Sequence, residues 1–177
     1  MYILVLDFDG VITNLNIDWD MVRTEVSRAV GFKVDSILAF WENYFGNKLF
    51  GIVNEIVEKY ELEAALRLTP YDDVKPALES FKGVAYLASM QSEKVTSLFL
   101  DRHDLRKYFR EILGRIRFGS KTRQLEYVMS RERTCENVVL VDDSKRSIES
   151  CHKQGLSCIL LNREAGDNLL NVIRNIP

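Results

Sequence analysis

Tyr2-Ile3-Leu4-Val5-Leu6-Asp7-Phe8-Asp9-Gly10 begins with five apolar residues and stops abruptly on an acid. The pattern recurs twice. Val84-Ala85-Tyr86-Leu87-Ala88 stops at Ser89, and Asn137-Val138-Val139-Leu140-Val141 stops at Asp142-Asp143. A fourth run, Ser157 to Leu161, follows Gly155. Short unbroken runs rich in β-branched residues predict strands buried on both faces, as parallel sheets require. Between them, Leu125, Val128 and Met129 recur at helical spacing, as do Ile148 and Cys151. Strands alternating with helices predict an α/β fold built on an open parallel sheet.

The pattern changes after the first run. Trp19, Val22, Val26 and Ala29 form one helical stripe, Ile37, Trp41 and Tyr44 a second, and Phe50, Val53, Val57 and Tyr60 a third. No strand-like run separates them. Residues 14–70 are therefore expected to form a small all-helical cap inserted into a core made of residues 1–13 and 71–177. Thr69-Pro70-Tyr71-Asp72-Asp73 reads as the return hinge, because proline disfavours helix at the residue before it.

Composition excludes several classes. The 177 residues are 46% hydrophobic and 28% charged, with nine Gly and three Pro, so disordered and collagen-like chains are ruled out. Twenty-four basic against 26 acidic residues give a net charge of −2, without the basic footprint of a nucleic-acid binder. No run approaches the ~18 apolar residues of a membrane span. The first acid arrives too early for a secretory signal. Cys135, Cys151 and Cys158 are odd in number and lack metal-type spacing, which predicts reduced thiols and a cytoplasmic protein.

In open α/β sheets, ligands gather at the carboxyl ends of the strands. There the sequence puts Asp7, Ser89, Asp142 and Asp143, with Asp9 two positions past Asp7. Two carboxylates about 4 Å apart repel by ~1 kcal/mol in water and ~4 kcal/mol at an effective dielectric of 20. Four of them converging need raised pKa values or a bound cation. Oxygen ligands and a phosphate-bearing substrate suit Mg²⁺. Asp7 at a strand end can attack phosphorus, and Asp9 can serve the leaving group and then the attacking water. Gly10 permits a tight turn and close backbone approach to a phosphate. Lys121 opens the helix containing Leu125, where it opposes the helix dipole, so a phosphoryl group and nearby carboxylates would explain its position. Ser89 can offer its hydroxyl and the neighbouring backbone N–H groups to phosphate oxygens, while also capping a helix.

These residues resemble the motifs of the haloacid dehalogenase superfamily, in its phosphatase branch with a helical cap after the first motif. Leu6-Asp7-Phe8-Asp9-Gly10-Val11-Ile12-Thr13 resembles motif I, Ala88-Ser89 motif II, Lys121 motif III and Val141-Asp142-Asp143-Ser144 motif IV. The resemblance implies a Rossmann-like core and an aspartyl-phosphate mechanism with Asp7 as nucleophile and Asp9 as general acid/base. It implies Mg²⁺ held by Asp7, the Asp9 carbonyl and Asp143, with Asp142 direct or through water. Ser89, the Met90 backbone N–H, Gly10 and Lys121 would hold phosphate. Asp9 argues against a true dehalogenase, which lacks this second acid. Met90, Thr122 and Ser147 depart from the family's usual Asn or Gly, Pro and Asp.

The implied substrate is a small phosphorylated metabolite such as phosphoglycolate or a sugar phosphate, for a monomer or homodimer. A β-phosphoglucomutase-like activity is the nearest alternative, but the only histidines, His103 and His152, fall outside the cap. A receiver-like signalling module would have its acidic pair after the first strand and its lysine last, the reverse of the order found.

Overall fold

A computed structural model describes residues 1–176. Five parallel strands form one sheet: β1 (Ile3–Leu6), β2 (Val84–Ala88), β3 (Phe109–Leu113), β4 (Val138–Asp142) and β5 (Ser157–Leu160), in the order β3-β2-β1-β4-β5. Every pairing is parallel. The register sets Leu6 opposite both Leu87 and Val141, so Asp142 lies level with Asp7 and Ser89 one residue beyond. The chain winds outward from β1 in one direction and then crosses to β4. The acids thus end at the switch point, where the crevice of such a sheet opens.

Helices cover both faces. Leu4, Leu6 and Leu87 pack with Val74 and Leu78 of α4 (Val74–Ser80), Phe99 of α5 (Glu93–Arg102) and Leu169 of α9 (Leu169–Arg174). On the other face, Val5, Tyr86 and Leu140 meet Leu125 and Val128 of α7 (Lys121–Glu132) and Cys151 of α8 (Lys145–Lys153). Successive strand residues point to opposite faces, and both faces are apolar. That explains the uninterrupted runs of β1, β2 and β4. The expectation of two-sided burial fails at β5, an edge strand whose Ser157 and Leu160 are exposed. β3, the other edge, was not foreseen: Arg110 and Glu111 interrupt its apolar pattern, and both face partly outward.

Between β1 and α4 lie α1 (Trp19–Val30), α2 (Ile37–Tyr44) and α3 (Lys48–Ala65). Val22, Val26, Phe40, Trp41, Phe50, Val53 and Val57 bury one another in a core of their own. The anticipated stripes meet there except at Ala29, which is exposed. Asp18, Ser36 and Asn47 start the helices by accepting from backbone N–H groups of their first turns. The two connections to the sheet run side by side: Thr13 Oγ1 donates to Thr69 O at 2.8 Å, and Tyr71 N to Ile12 O at 2.9 Å. Arg163 clamps both, donating to Val11 O and Asp73 Oδ2, each at 2.6 Å, and stacking on Tyr71.

The expectation of three reduced thiols is corrected. Cys151 and Cys158 form a disulfide with Cα atoms 6.1 Å apart, and Cys135 alone is free and exposed. The chain reverses between α8 and β5 at Gly155 (φ 71°), which brings residues seven apart face to face.

Candidate active site

Asp7, the first residue past β1, is buried at the floor of a cavity of about 320 Å³ between the carboxyl edge of the sheet and the helices α1 and α2. Lys121 Nζ, at the start of α7, donates to Asp7 Oδ1 at 2.7 Å and to Ala88 O, and lies 2.9 Å from Asp142 Oδ2. Burial alone would lower the lysine's pKa, but the Asp142 and Asp7 carboxylates outweigh it and hold Lys121 protonated, above its ordinary value. Carboxylate oxygens of Asp7, Asp142 and Asp143 all lie within 4.8 Å of one another.

One buried lysine does not balance three such acids. Burial first, and then the charges of Asp142 and Asp143, push the Asp7 carboxyl up to about 8 despite Lys121. Asp143, at the cavity mouth, is pushed up to about 6 by partial desolvation and by Asp142 and Asp9. Asp9 is raised by burial, against hydrogen bonds from the backbone of Leu15 and Gly10. Leu15 N donates to Asp9 Oδ1 at 2.7 Å, which ties this acid to the segment entering α1.

The donor set fits a hard divalent cation: oxygens only, clustered, and short of compensating charge. Gly10 adds to the fit. Its φ of +79° favours glycine, and a Cβ there would strike the Asp143 carboxylate, so the missing side chain makes room for the acid.

Of the anticipated site residues, Asp7, Asp9, Met90, Lys121, Asp142 and Asp143 line the cavity. Gly10 supports Asp143 from behind. Ser89 is fully buried, its N–H donating to Leu113 O at 2.9 Å and its hydroxyl to Gln91 Oε1. Asp142 is divided between two tasks: Oδ1 accepts from Ser144 N at 2.9 Å, capping the approach to α8, and Oδ2 faces Lys121. Neither His103 nor His152 reaches the cavity; His103 Nε2 sits 3.2 Å from Leu68 O.

Several supporting residues escaped the sequence reading. Gln124 Nε2 donates to Ser89 O at 2.7 Å and Leu113 O at 3.0 Å, fixing the turn after β2. Gln91 lines the cavity beside Met90. Arg115, in α6 (Arg115–Phe118), is fully buried against Glu61 of α3. Glu61 was detectable, since it continues the i+4 phase of Val53 and Val57; Arg115, in a basic stretch, carried no such signal.

The family model of the haloacid dehalogenase-like hydrolases matches residues 8–161. The chain belongs to this family. Among solved structures of similar fold, a predicted phosphatase from Clostridium acetobutylicum superposes with a TM-score of 0.71 at 14% identity, covering 99% of this chain and 98% of that one. A predicted phosphoglycolate phosphatase from Haemophilus somnus gives 0.69 at 14% identity, with 98% and 97% covered. A superfamily hydrolase of subfamily IA from Geobacter sulfurreducens gives 0.68 at 13% identity, with 100% and 97% covered. No curated protein matches the sequence. At these identities the structural likeness concerns the fold alone. As a haloacid dehalogenase-like hydrolase the chain has a parallel core whose acids meet at one edge, and no helix among the described residues is long and apolar enough to cross a membrane.

Proposed function

We propose that this hydrolase is a Mg²⁺-dependent phosphomonoesterase acting on a small organic phosphate through an aspartyl-phosphate on Asp7. The observation that carries the reading is the cluster of Asp7, Asp142 and Asp143 oxygens within 4.8 Å, with Lys121 bonded to Asp7, at the floor of a cavity. An Asp7 oxygen attacks phosphorus while the ester oxygen leaves with a proton from Asp9. Asp9 then takes a proton from water, which attacks the acyl phosphate, releases inorganic phosphate and restores Asp7. The raised pKa of Asp9 suits it to begin as the acid. Lys121 holds Asp7 in place and offsets charge on the transferring group. Mg²⁺, held by Asp7 and Asp143 with the Asp9 carbonyl and Asp142 in support, would supply charge neutralisation of the phosphoryl oxygens. The helical segment 14–70 serves as the cap that shields the reaction from water.

Steady release of phosphate from p-nitrophenyl phosphate with Mg²⁺, abolished by EDTA, is the direct test; no release under either condition rejects the reading. Asp9→Asn is expected to lower kcat about 10²–10⁴-fold, the usual worth of a general acid–base group. A normal rate of phosphoenzyme hydrolysis in that variant would remove Asp9 from the second step.

Binding of the cation can also be followed without turnover. Asp7 and Asp143 hold protons in the metal-free fold above their ordinary pKa of 3.8, so the native state binds more protons than the unfolded chain. Their contribution to stability is complete below that value and is lost as pH rises through about 6 and about 8. A cation that binds the ionised carboxylates should recover the loss over the same window. Saturating Mg²⁺ is therefore expected to raise Tm more at pH 8 than at pH 5. Equal shifts at both pH values, measured by scanning calorimetry, would take these acids out of the ligand set.

A further inference from the structure

We propose that the leaving group this cavity accepts is uncharged and presents an apolar face, so that a phosphomonoester carrying a second anionic group is a poor substrate. The inference rests on the phosphomonoesterase reading and narrows its substrate class. Beyond the catalytic acids, the wall that faces a leaving group is formed by Trp19 of α1, by Ile37, Leu38 and Trp41 of α2, and by Met90. Leu38 is 39% exposed although it lines a cavity, so it offers apolar surface that a ligand of like character would remove from water.

The charges around that wall leave no unpaired cation for a second anion. Arg23 and Arg146 are the cationic side chains lining the cavity apart from Lys121, and each already has a carboxylate: Arg23 pairs with Asp20, and Arg146 with Glu42 across the cleft. Lys121 is committed to Asp7 and Asp142. The lining also includes Asp35, Glu42 and Glu61, of which Glu61 is neutralised by Arg115 at 2.6 Å and Asp35 faces Lys33 at 2.7 Å. A carboxylate or second phosphate on the leaving group would compete with Asp20 or Glu42 for an arginine already paired, while standing beside Asp35 and Glu42. A neutral body meets no such opposition.

The test compares 4-carbamoylphenyl phosphate with 4-carboxyphenyl phosphate, which match in shape and differ in charge. The wild-type chain with Mg²⁺ is expected to favour the carbamoyl ester by about tenfold or more in kcat/KM, within the range one pocket contact can supply. Leu38→Arg adds an unpaired cation to the wall and should shrink that ratio severalfold. An equal or reversed preference in the wild type overturns the inference while leaving the phosphatase reading intact. Equilibrium binding of both esters to Asp7→Asn, by calorimetry with Mg²⁺, is a readout independent of turnover. Tighter binding of the carbamoyl ester supports the inference even if the wild type hydrolyses neither, an outcome that would sink the phosphatase reading alone. Equal or tighter binding of the carboxylate overturns the inference.

Discussion

Asp7→Asn should abolish phosphate release, with a loss exceeding the roughly 10²–10⁴-fold expected for a general acid–base group such as Asp9. The amide is nearly isosteric and can still accept from Lys121 Nζ, which lies 2.7 Å from Asp7 Oδ1, so the fold and the lysine's position should survive. What disappears is the nucleophile, and with it the covalent intermediate that divides one difficult displacement into two easier ones. Asp7 is raised by burial and then by the charges of Asp142 and Asp143, so removing its carboxylate also removes that repulsion wherever Asp7 is ionised. Above pH about 8, where Asp7 of the metal-free wild type ionises, the inactive variant should therefore be at least as thermostable as the wild type without Mg²⁺. Acid quenching during turnover should trap phosphate on the wild-type chain and none on the variant. A variant retaining wild-type rates would place the attack elsewhere and end the assignment of Asp7.

How far the sequence anticipated this site depends on which residues are considered. The strands β1, β2 and β4 were legible because burial on both faces leaves continuous apolar runs, and each run ends in the residue that reaches the sheet edge. Asp7, Asp142 and Asp143 followed at once from strand ends and parallel order, and the register then set Asp7 and Asp142 level. The edge strand β3 was not legible: Arg110 and Glu111 sit where a central strand would have apolar residues, and Glu111 accepts from Tyr127 and pairs with Arg117 on the surface. The helices α1, α2 and α3 were legible as stripes, but their docking was not. Phe45 packs over Gly119, where a Cβ would strike its ring, and Arg123 lies 4.8 Å from the same ring. Such contacts join residues more than 70 positions apart by shape, for which a single sequence carries no periodicity. The disulfide eluded the reading for a related reason. An odd number of cysteines shows only that at least one lacks a partner within the chain, and whether the others pair depends on where the chain reverses.

The second large effect is on stability, and it arises where α3 meets α6. Arg115 is fully buried: Nη1 lies 2.6 Å from Glu61 Oε1 and donates to Met90 O at 3.0 Å, Nε donates to Asn54 Oδ1 at 2.9 Å, and the guanidinium packs 4.8 Å from the Trp41 ring. Glu61 Oε2 in turn accepts from Ser92 N at 3.3 Å. Burial still holds the Glu61 carboxyl above its ordinary pKa in spite of Arg115, so desolvation of the acid outweighs the attraction it gains. A pair of this kind adds little net stability while intact and costs much when broken. Arg115→Met should destabilise the fold by about 3–5 kcal/mol, because it leaves the buried Glu61 carboxylate without its cation. Adding Glu61→Leu should recover a large part of that loss by removing the stranded acid. Recovery will be incomplete, since Met90 O and Asn54 also lose their donor. Urea denaturation of the wild type, both single variants and the double variant measures each corner of the cycle. A cost below about 1 kcal/mol for Arg115→Met would be the behaviour of an exposed pair and would contradict the burial of this one. The double variant also separates anchoring from stability. If Arg115 and Glu61 fix the turn at Met90–Ser92, the double variant should lose turnover out of proportion to its remaining loss of stability, because the Met90–Gln91 side of the cavity would no longer be held against α3.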